Sequence, residues 1–524
     1  MDEPLAKARQ GHQVPLPNSL HNLSRVVFKK GPETSSFGDS AEIAEHFPHT
    51  FGQPILEAID GDHPAFETLK VGVVFSGGQA SGGHNVIAGL FDALKKMDPD
   101  SQLFGFLGGP SGVVDHESVE ITGDLLSEFR NQGGFDLIGS GRTKIETDEQ
   151  LEKSLQTMEK MELDGLVIIG GDDSNTNAAV LAEYFIDKGC KTKVIGVPKT
   201  IDGDLKNEHI ELSFGFDTAT KTYSEALGNI ARDCLSAKKY THFVKLMGRS
   251  ASHIALECAL KVHPNVTLIS EEEKSLSEIT DLLTDTVQRR SEAGKNYGII
   301  LIPEGLIEFI PEMKQLISEL NELLAKEQDI SHLSPVSKEA FEALPEGIQK
   351  QLLLDRDPHG NVQVSHIQTE ALCVELVKKE LKKRNFEGKF SPVAHFFGYE
   401  GRAGYPSNFD ANYCYALGHG AALLIVHGVT GYMSVIQNLK LPISEWELKG
   451  MPITSMMNME MRKGQNKPVI RKTLVDLKDP AYKVFMSCRD EWAMGDYYRC
   501  PGPIQFFGDA SITDTIPITL NLSY

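Results

Sequence analysis

Val71-Gly72-Val73-Val74-Phe75 runs directly into Ser76-Gly77-Gly78-Gln79-Ala80-Ser81-Gly82-Gly83-His84-Asn85, and an apolar helical stretch from Val86 to Leu94 follows. A short apolar run has the length of a buried strand, and glycine pairs permit a tight turn into a helix. The unit reads strand, glycine loop, helix. It recurs where Leu166-Val167-Ile168-Ile169 leads into Gly170-Gly171 and a helix bearing Ala178, Ala179, Leu181, Ala182, Phe185 and Ile186. Val194-Ile195-Gly196-Val197 is another buried strand, ending at Pro198. Phe243 to Met247, Ile299 to Ile302, Val393 to Phe397 and Leu423 to Val426 are later strand candidates. Short apolar strands alternating with helices specify parallel α/β sheets covered on both faces.

Outside these units the pattern changes. Residues 1–69 carry Pro15, Pro17, Pro32, Pro48 and Pro54 without sustained periodicity and read as an extension wrapping a core. Between 312 and 384, Met313, Leu316, Ile317, Leu320, Leu323 and Leu324 follow helical spacing, and a second helix runs from Glu370 to Arg384. This stretch reads as a helical insertion between two α/β parts. The basic run Lys378 to Arg384 reads as its solvated face, with a binding patch the lesser option.

The chain has 524 residues, enough to bury substantial cores without disulfides or structural metals. Its formal net charge of −21 argues against general nucleic-acid binding and against attraction to an anionic membrane. An acidic protein that binds a phosphorylated ligand must concentrate cations locally. The seven cysteines form no CxxC pair, which points to free thiols in a reducing compartment. Met1-Asp2-Glu3-Pro4 lacks the basic and apolar regions of a signal peptide, and no apolar run approaches the roughly 20 residues of a membrane span. A cytoplasmic location is the expectation.

Each candidate loop falls at the C-terminal end of a strand, where open α/β sheets bind ligands. The first holds Gly77, Gly78, Gly82 and Gly83. It is either a tight strand-to-helix turn or a cradle of backbone N–H groups for an anion, and its two glycine pairs favour the cradle. In the second, Gly170-Gly171-Asp172-Asp173, one carboxylate could be a helix cap, but two adjacent carboxylates repel and favour a cation. Asp172 is a plausible Mg²⁺ ligand, because Mg²⁺ binds oxygen and shares its shell with substrate phosphates. The third, Lys199-Thr200-Ile201-Asp202-Gly203-Asp204, places a cation and two carboxylates within six residues directly after a buried strand. Phosphoryl transfer needs charge stabilisation, a metal and a base for the attacking hydroxyl.

With Met247-Gly248-Arg249, Pro303-Glu304-Gly305 and Tyr399-Glu400-Gly401-Arg402 in order behind them, these loops resemble the phosphofructokinase superfamily, specifically its pyrophosphate-dependent branch. The agreement runs from about Val71 to Pro501-Gly502-Pro503, and the chain resembles the long forms, including the catalytic subunit of the plant enzyme. The resemblance implies two Rossmann-like three-layer α/β/α domains. An N-terminal extension spans 1–70, and a larger domain (71–215 plus 403–500) holds pyrophosphate and Mg²⁺. A smaller domain (216–402, with the insertion at 306–390) holds fructose 6-phosphate, and a tail spans 501–524.

The resemblance also implies roles. Gly77 and Gly78 bind the donor, Asp172 holds Mg²⁺, and Asp202 takes the proton of the sugar C1 hydroxyl. Asp204 helps organise the metal or Asp202, and Thr200 and Ile201 contact substrate. Relatives that use ATP have Gly where Asp173 stands; a carboxylate there would exclude the α-phosphate of ATP by volume and by like charge. Lys199 would supply charge to the transferring group. Met247, Gly248 and Arg249 form a wall for the sugar phosphate, Glu304 binds its hydroxyls, and Tyr399, Glu400, Gly401 and Arg402 lie near the 6-phosphate. Lys239 and Tyr240 match positions that reach a neighbouring subunit's site, implying a homodimer or a hetero-oligomer with a regulatory subunit. Ser81 departs from relatives that carry Pro there. The competing readings are an ATP-dependent phosphofructokinase and a non-catalytic regulatory subunit.

Overall fold

Every residue of the strands Gly165–Gly170, Thr241–Leu246 and Gly298–Pro303 is buried. A strand with no exposed face must be covered on both sides, a condition that a helix-flanked parallel sheet meets. The computed structural model of the chain describes residues 8–63, 65–326, 328–354, 362, 367–462, 465–504, 510, 514 and 516–523. They form two compact units. The first takes residues 1–219, 402–473 and 505–516, and the second 220–401, 474–504 and 517–524.

In chain order the strands are β1 (Val26–Glu33), β2 (Pro54–Asp60), β3 (Lys70–Phe75), β4 (Gln102–Phe106), β5 (Ser118–Glu120), β6 (Gly165–Gly170) and β7 (Lys193–Pro198). Then come β8 (Thr241–Leu246), β9 (Val266–Thr267), β10 (Gly298–Pro303), β11 (Pro392–Phe397), β12 (Tyr432–Gln437), β13 (Glu447–Pro452), β14 (Met457–Arg462) and β15 (Gln465–Ile470).

The first unit's main sheet has the order β1-β2-β13-β12-β7-β6-β3-β4-β5. The run from β12 to β4 is parallel, and antiparallel strands flank it. The chain leaves β3 toward β4 on one side, and β6 toward β7 on the other. The loops after these neighbours therefore diverge, opening a crevice at their carboxyl ends. On one face Val74, Leu166, Ile168 and Val194 pack with Ala178, Leu181 and Phe185 of helix Asp172–Asp187. Helix Asn408–Val426 packs against helix Gly83–Met97. A Cβ at Gly89 would stand 2.2 Å from the Tyr415 carbonyl oxygen, so glycine permits that close approach.

The second unit holds a parallel sheet of order β11-β8-β10-β9. Met313, Leu316, Leu320, Phe341, Leu352 and Leu372 from helices between 311 and 383 share a core with Phe243, Ile300 and Ile302 of this sheet. In the basic run, Lys378 and Lys383 pair with Glu375 and Glu380, and Arg384 pairs with Glu380, Asp281 and Asp285.

Three expectations need correction. Leu423 to Val426 is not a strand but the buried end of helix Asn408–Val426; a short apolar run has no period with which to separate the two. Residues 474–500 belong with the second unit, because helix Pro480–Met494 buries Ala481, Tyr482, Phe485 and Trp492 against Leu256, Leu260 and Ile269. The N-terminal stretch supplies β1 and β2 to the first sheet, pairing through β13. All seven cysteines are free thiols, and no described helix is long and apolar enough to cross a membrane.

Candidate active site

The glycine loop after β3 is held by backbone and hydroxyl ties. Gly77, at φ +86°, donates its N–H to Gly141 O at 2.8 Å, and Ser140 Oγ donates to Gly77 O at 2.6 Å. Arg402 Nε donates to Gln79 O at 3.0 Å. A Cβ at Gly78 would stand 1.5 Å from Arg402 Nη2, so only glycine lets the guanidinium lie against this backbone. Ser81 Oγ donates to Gly404 O at 2.7 Å, binding the loop to the segment that carries Arg402. The hydroxyl that replaces proline here makes a bond.

Lys199 is buried under the same loop. Its Nζ would lie 3.4 Å from a Cβ at Gly77, and its backbone N–H donates to Gly170 O at 2.9 Å. Burial pushes its ammonium down to about 8; Arg402 and Arg142 add to the fall, while Asp202 and Asp172 oppose it. Three cations thus gather at one glycine loop in a protein of net charge −21. Such a concentration is costly unless an anion is meant to receive it.

Asp172 opens helix Asp172–Asp187, where the helix dipole favours a carboxylate. Burial raises its pKa, Asp173 and Asp204 raise it further, and Lys472 opposes them. Its Oδ2 is buried without a hydrogen bond. Lys472 Nζ stands 3.7 Å away, within ion-pair range but too far to be a hydrogen bond. Asp173 is exposed and pairs with Lys144 at 3.1 Å. On the third loop, Asp202 N–H donates to Thr200 Oγ1 at 3.1 Å, Ile201 is buried, and Gly203 turns at φ +73°. Asp204 is buried, and its carbonyl accepts from Thr473 N–H at 2.7 Å. No group of three or more His, Cys, Asp or Glu suited to a metal occurs among the described residues. Mg²⁺ needs fewer, since it keeps waters and substrate oxygens in its shell.

In the second unit, Met247-Gly248-Arg249, Glu304-Gly305 and Tyr399-Glu400-Gly401 follow the adjacent parallel strands β8, β10 and β11. Gly248, at φ +128°, donates its N–H to Oε2 of buried Glu304 at 3.1 Å. Met247 is buried, while Arg249, Tyr399 and Glu400 are exposed. Gly401 packs on Tyr223, whose hydroxyl donates to Gly398 O at 2.5 Å. Arg402, though adjacent in sequence, belongs to the first unit and lies at Gly78. Lys239 stacks over the Tyr240 ring at 4.9 Å, just before β8. A six-residue strand, about 20 Å long, separates this pair from Arg249.

Arg142, Lys144 and Lys472 escaped the sequence reading. Arg142 and Lys144 follow the small Gly139-Ser140-Gly141 turn and Lys472 follows a hairpin, so neither place carries a motif. The glycines of 139–141 are the one signal that could have flagged the first pair.

Two α/β sheets with charged loops at the carboxyl ends of parallel strands define a doubly wound class whose ligand site sits at a topological switch. Within that class the chain belongs to the phosphofructokinase family, whose model, Phosphofructokinase, matches residues 70–425. It is 52% identical over 538 residues to the pyrophosphate–fructose 6-phosphate 1-phosphotransferase of Porphyromonas gingivalis, with 98% of each chain covered. It is 51% identical over 531 residues to subunit beta 1 of that enzyme from Arabidopsis thaliana, covering 98% of this chain and 93% of the other. The solved structure of pyrophosphate-dependent phosphofructokinase from Marinobacter aquaeolei aligns over 82% of this chain and 93% of its own, with a TM-score of 0.56. Its identity is 16%, so the likeness is one of fold.

Proposed function

We propose that the chain transfers a phosphoryl group reversibly from pyrophosphate to the C1 hydroxyl of fructose 6-phosphate, giving fructose 1,6-bisphosphate and phosphate. This is a step of glycolysis and gluconeogenesis. Near-full-length identity to enzymes of that name supports it, and the observation that carries it is Lys199 beneath Gly77 with Arg402 against Gly78. A small, highly charged anion needs such a cradle, and no nucleoside pocket is required.

Asp202 accepts the C1 hydroxyl proton as the oxygen bonds to the terminal phosphorus and the bond to the bridging oxygen breaks. Lys199, Arg402 and the backbone of Gly77 and Gly78 bind the donor oxygens and offset charge on the moving group. Arg402 was expected at the 6-phosphate; its place at Gly78 and Gln79 supports assigning it to the donor loop. Asp173 denies ATP the room and the charge balance for its α-phosphate. The unbonded, buried Oδ2 of Asp172 fits a Mg²⁺ ligand, with Asp204 adding negative charge. Mg²⁺ held there would neutralise charge on the phosphoryl oxygens. Met247, Gly248, Arg249 and Glu304, with Tyr399, Glu400 and Gly401, recognise the sugar phosphate. Lys239 and Tyr240 lie too far along β8 to serve the same site as Arg249, which supports a function in a neighbouring subunit, in a homodimer or with a regulatory subunit. A cytoplasmic location accords with seven free thiols.

The isolated chain, assayed with fructose 6-phosphate and Mg²⁺, should turn over pyrophosphate and not ATP. Turnover of ATP would overturn the donor assignment. Inactivity with both donors would instead make the chain a regulatory subunit.

A further inference from the structure

Residues 128–139 form neither helix nor strand, so their backbone groups need partners from elsewhere in the chain. They lead into Ser140 and Gly141, which tie down Gly77 at the start of the donor loop. At the other end of that loop, His84 and Asn85 open helix Gly83–Met97 and reach the same segment. His84 Nδ1 lies 3.2 Å from Gln132 O, and Leu137 N lies 3.2 Å from His84 Nε2. Asn85 Nδ2 donates to Asn131 Oδ1 at 2.7 Å. One strap thus clamps the loop at both ends.

The partners fix the state of the ring. A carbonyl only accepts and an amide N–H only donates, so His84 carries its proton on Nδ1 and accepts at Nε2. Burial favours this neutral form and pushes the pKa down to about 4, against Asp136 and the Gln132 carbonyl, which raise it. Asp136 is exposed, 3.6 Å from Nε2. The ring itself is wholly buried, with Phe75 at 6.1 Å and Phe129 at 5.3 Å. Phe135 of the strap stacks on Phe75 at 3.9 Å and fills the space that a side chain at Gly83 would take. Within the strap, Gly139 N–H donates to Phe135 O at 2.8 Å, which carries the placement of Leu137 on toward Ser140 and Gly141.

We propose that His84 is a positioning residue of the donor loop: by bridging Gln132 and Leu137 it sets the strap whose far end holds Gly77. This rests on reading the loop as the pyrophosphate site. His84 touches no substrate and acts through the strap. Without its two bonds, buried Leu137 N–H and Gln132 O lose their partner, and the strap relaxes to find others. Ser140 and Gly141 move with it. Gly77 and Gly78 then lose the geometry that suits a small anion.

The test uses the full chain with His84→Phe and His84→Gln. Phe keeps a ring of similar volume without either bond, while the Gln amide offers one donor and one acceptor. KM for pyrophosphate should rise about tenfold in His84→Phe and only about threefold in His84→Gln. In both, kcat and KM for fructose 6-phosphate should hold within about twofold, the pattern of weakened donor binding alone. Amide hydrogen exchange of the substrate-free chain, followed by mass spectrometry, should quicken in His84→Phe across 132–141 and 76–79. An unchanged KM for pyrophosphate, a parallel rise in both KM values, or unchanged exchange would each overturn the proposal. Should His84→Phe fail to fold, the same readings on His84→Gln decide it. A parent chain that ignores pyrophosphate would defeat the donor reading alone, since exchange still shows whether His84 sets the strap.

Discussion

The two units present their charges differently. In the first, Lys199 is buried, Arg402 lies against a glycine backbone, and Asp172 and Asp204 are drawn into one field. In the second, Glu304 is buried and bonded to Gly248, while Arg249, Tyr399 and Glu400 stand exposed. Groups that stabilise charge appearing in a transition state gain most when orientation and desolvation are settled during folding. Groups that capture a substrate can stay in water and order on binding, at some cost in side-chain entropy. We propose that the first unit serves the chemistry and the second the capture of substrate.

The largest test of that contrast is Asp202→Asn. The amide is nearly isosteric and cannot accept the hydroxyl proton, so kcat should fall by roughly a thousandfold. KM for both substrates should hold near the parent value, as steady-state kinetics will show. Equal losses in KM and kcat would mean that Asp202 binds substrate and is not the base.

Arg249→Ala comes next and probes capture. An exposed guanidinium with no structural duty can be removed without unfolding the chain, so thermal melting should be unchanged. KM for fructose 6-phosphate should rise between about tenfold and a hundredfold, the usual worth of a charge-assisted hydrogen bond. Melting that drops with Arg249→Ala would erase the distinction between the units.

A smaller effect should come from pH. Lys199 titrates at about 8 in the folded chain, and its ordinary value is 10.5. Above pH 8 the cradle loses a charge, so kcat/KM for pyrophosphate should decline toward tenfold per pH unit. Lys199→Arg should lack that limb, since guanidinium stays charged. Stability runs the other way. Between about pH 8 and 10.5 the unfolded chain binds the extra proton, so the contribution of Lys199 to folding stability rises with pH across that window. Urea titrations of the parent and Lys199→Met at several pH values would show the two slopes diverging.

Continuous apolar strands such as β6 and β10 were legible because burial on both faces leaves no polar residue to confuse the pattern. β1 and β2 each bury one residue fully and carry charges, so they passed as extension. Helix Pro480–Met494 was assigned to the wrong unit because an amphipathic face states that it is covered, not by what. The same limit applied at the site. Residues that share a loop, such as Lys199 to Asp204, are close in sequence because they must be close in space. Arg142 acts on Lys199, Lys144 pairs with Asp173 and Lys472 with Asp172, each from a separate segment, and nothing in their own neighbourhoods names the partner. Arg402 shows the converse, since adjacency to Gly401 placed it with the sugar phosphate while its side chain lies on Gly78.

The smallest effect should come from Ser81→Ala. The hydroxyl is buried and bonded to Gly404 O, and its loss should cost about 1 kcal/mol, the net worth of a neutral hydrogen bond. Gly404 itself is only half-buried, so water can take the vacated place and the cost should not grow. Three further ties hold the loop: Gly77 N–H to Gly141 O, Ser140 Oγ to Gly77 O, and Arg402 Nε to Gln79 O. With those intact, KM for pyrophosphate should change by no more than about twofold. Urea denaturation and pyrophosphate kinetics on the one variant measure both quantities. A much larger rise in KM would mean that Ser81 alone positions Arg402, and that the donor cradle hangs on one contact where a redundant set was inferred.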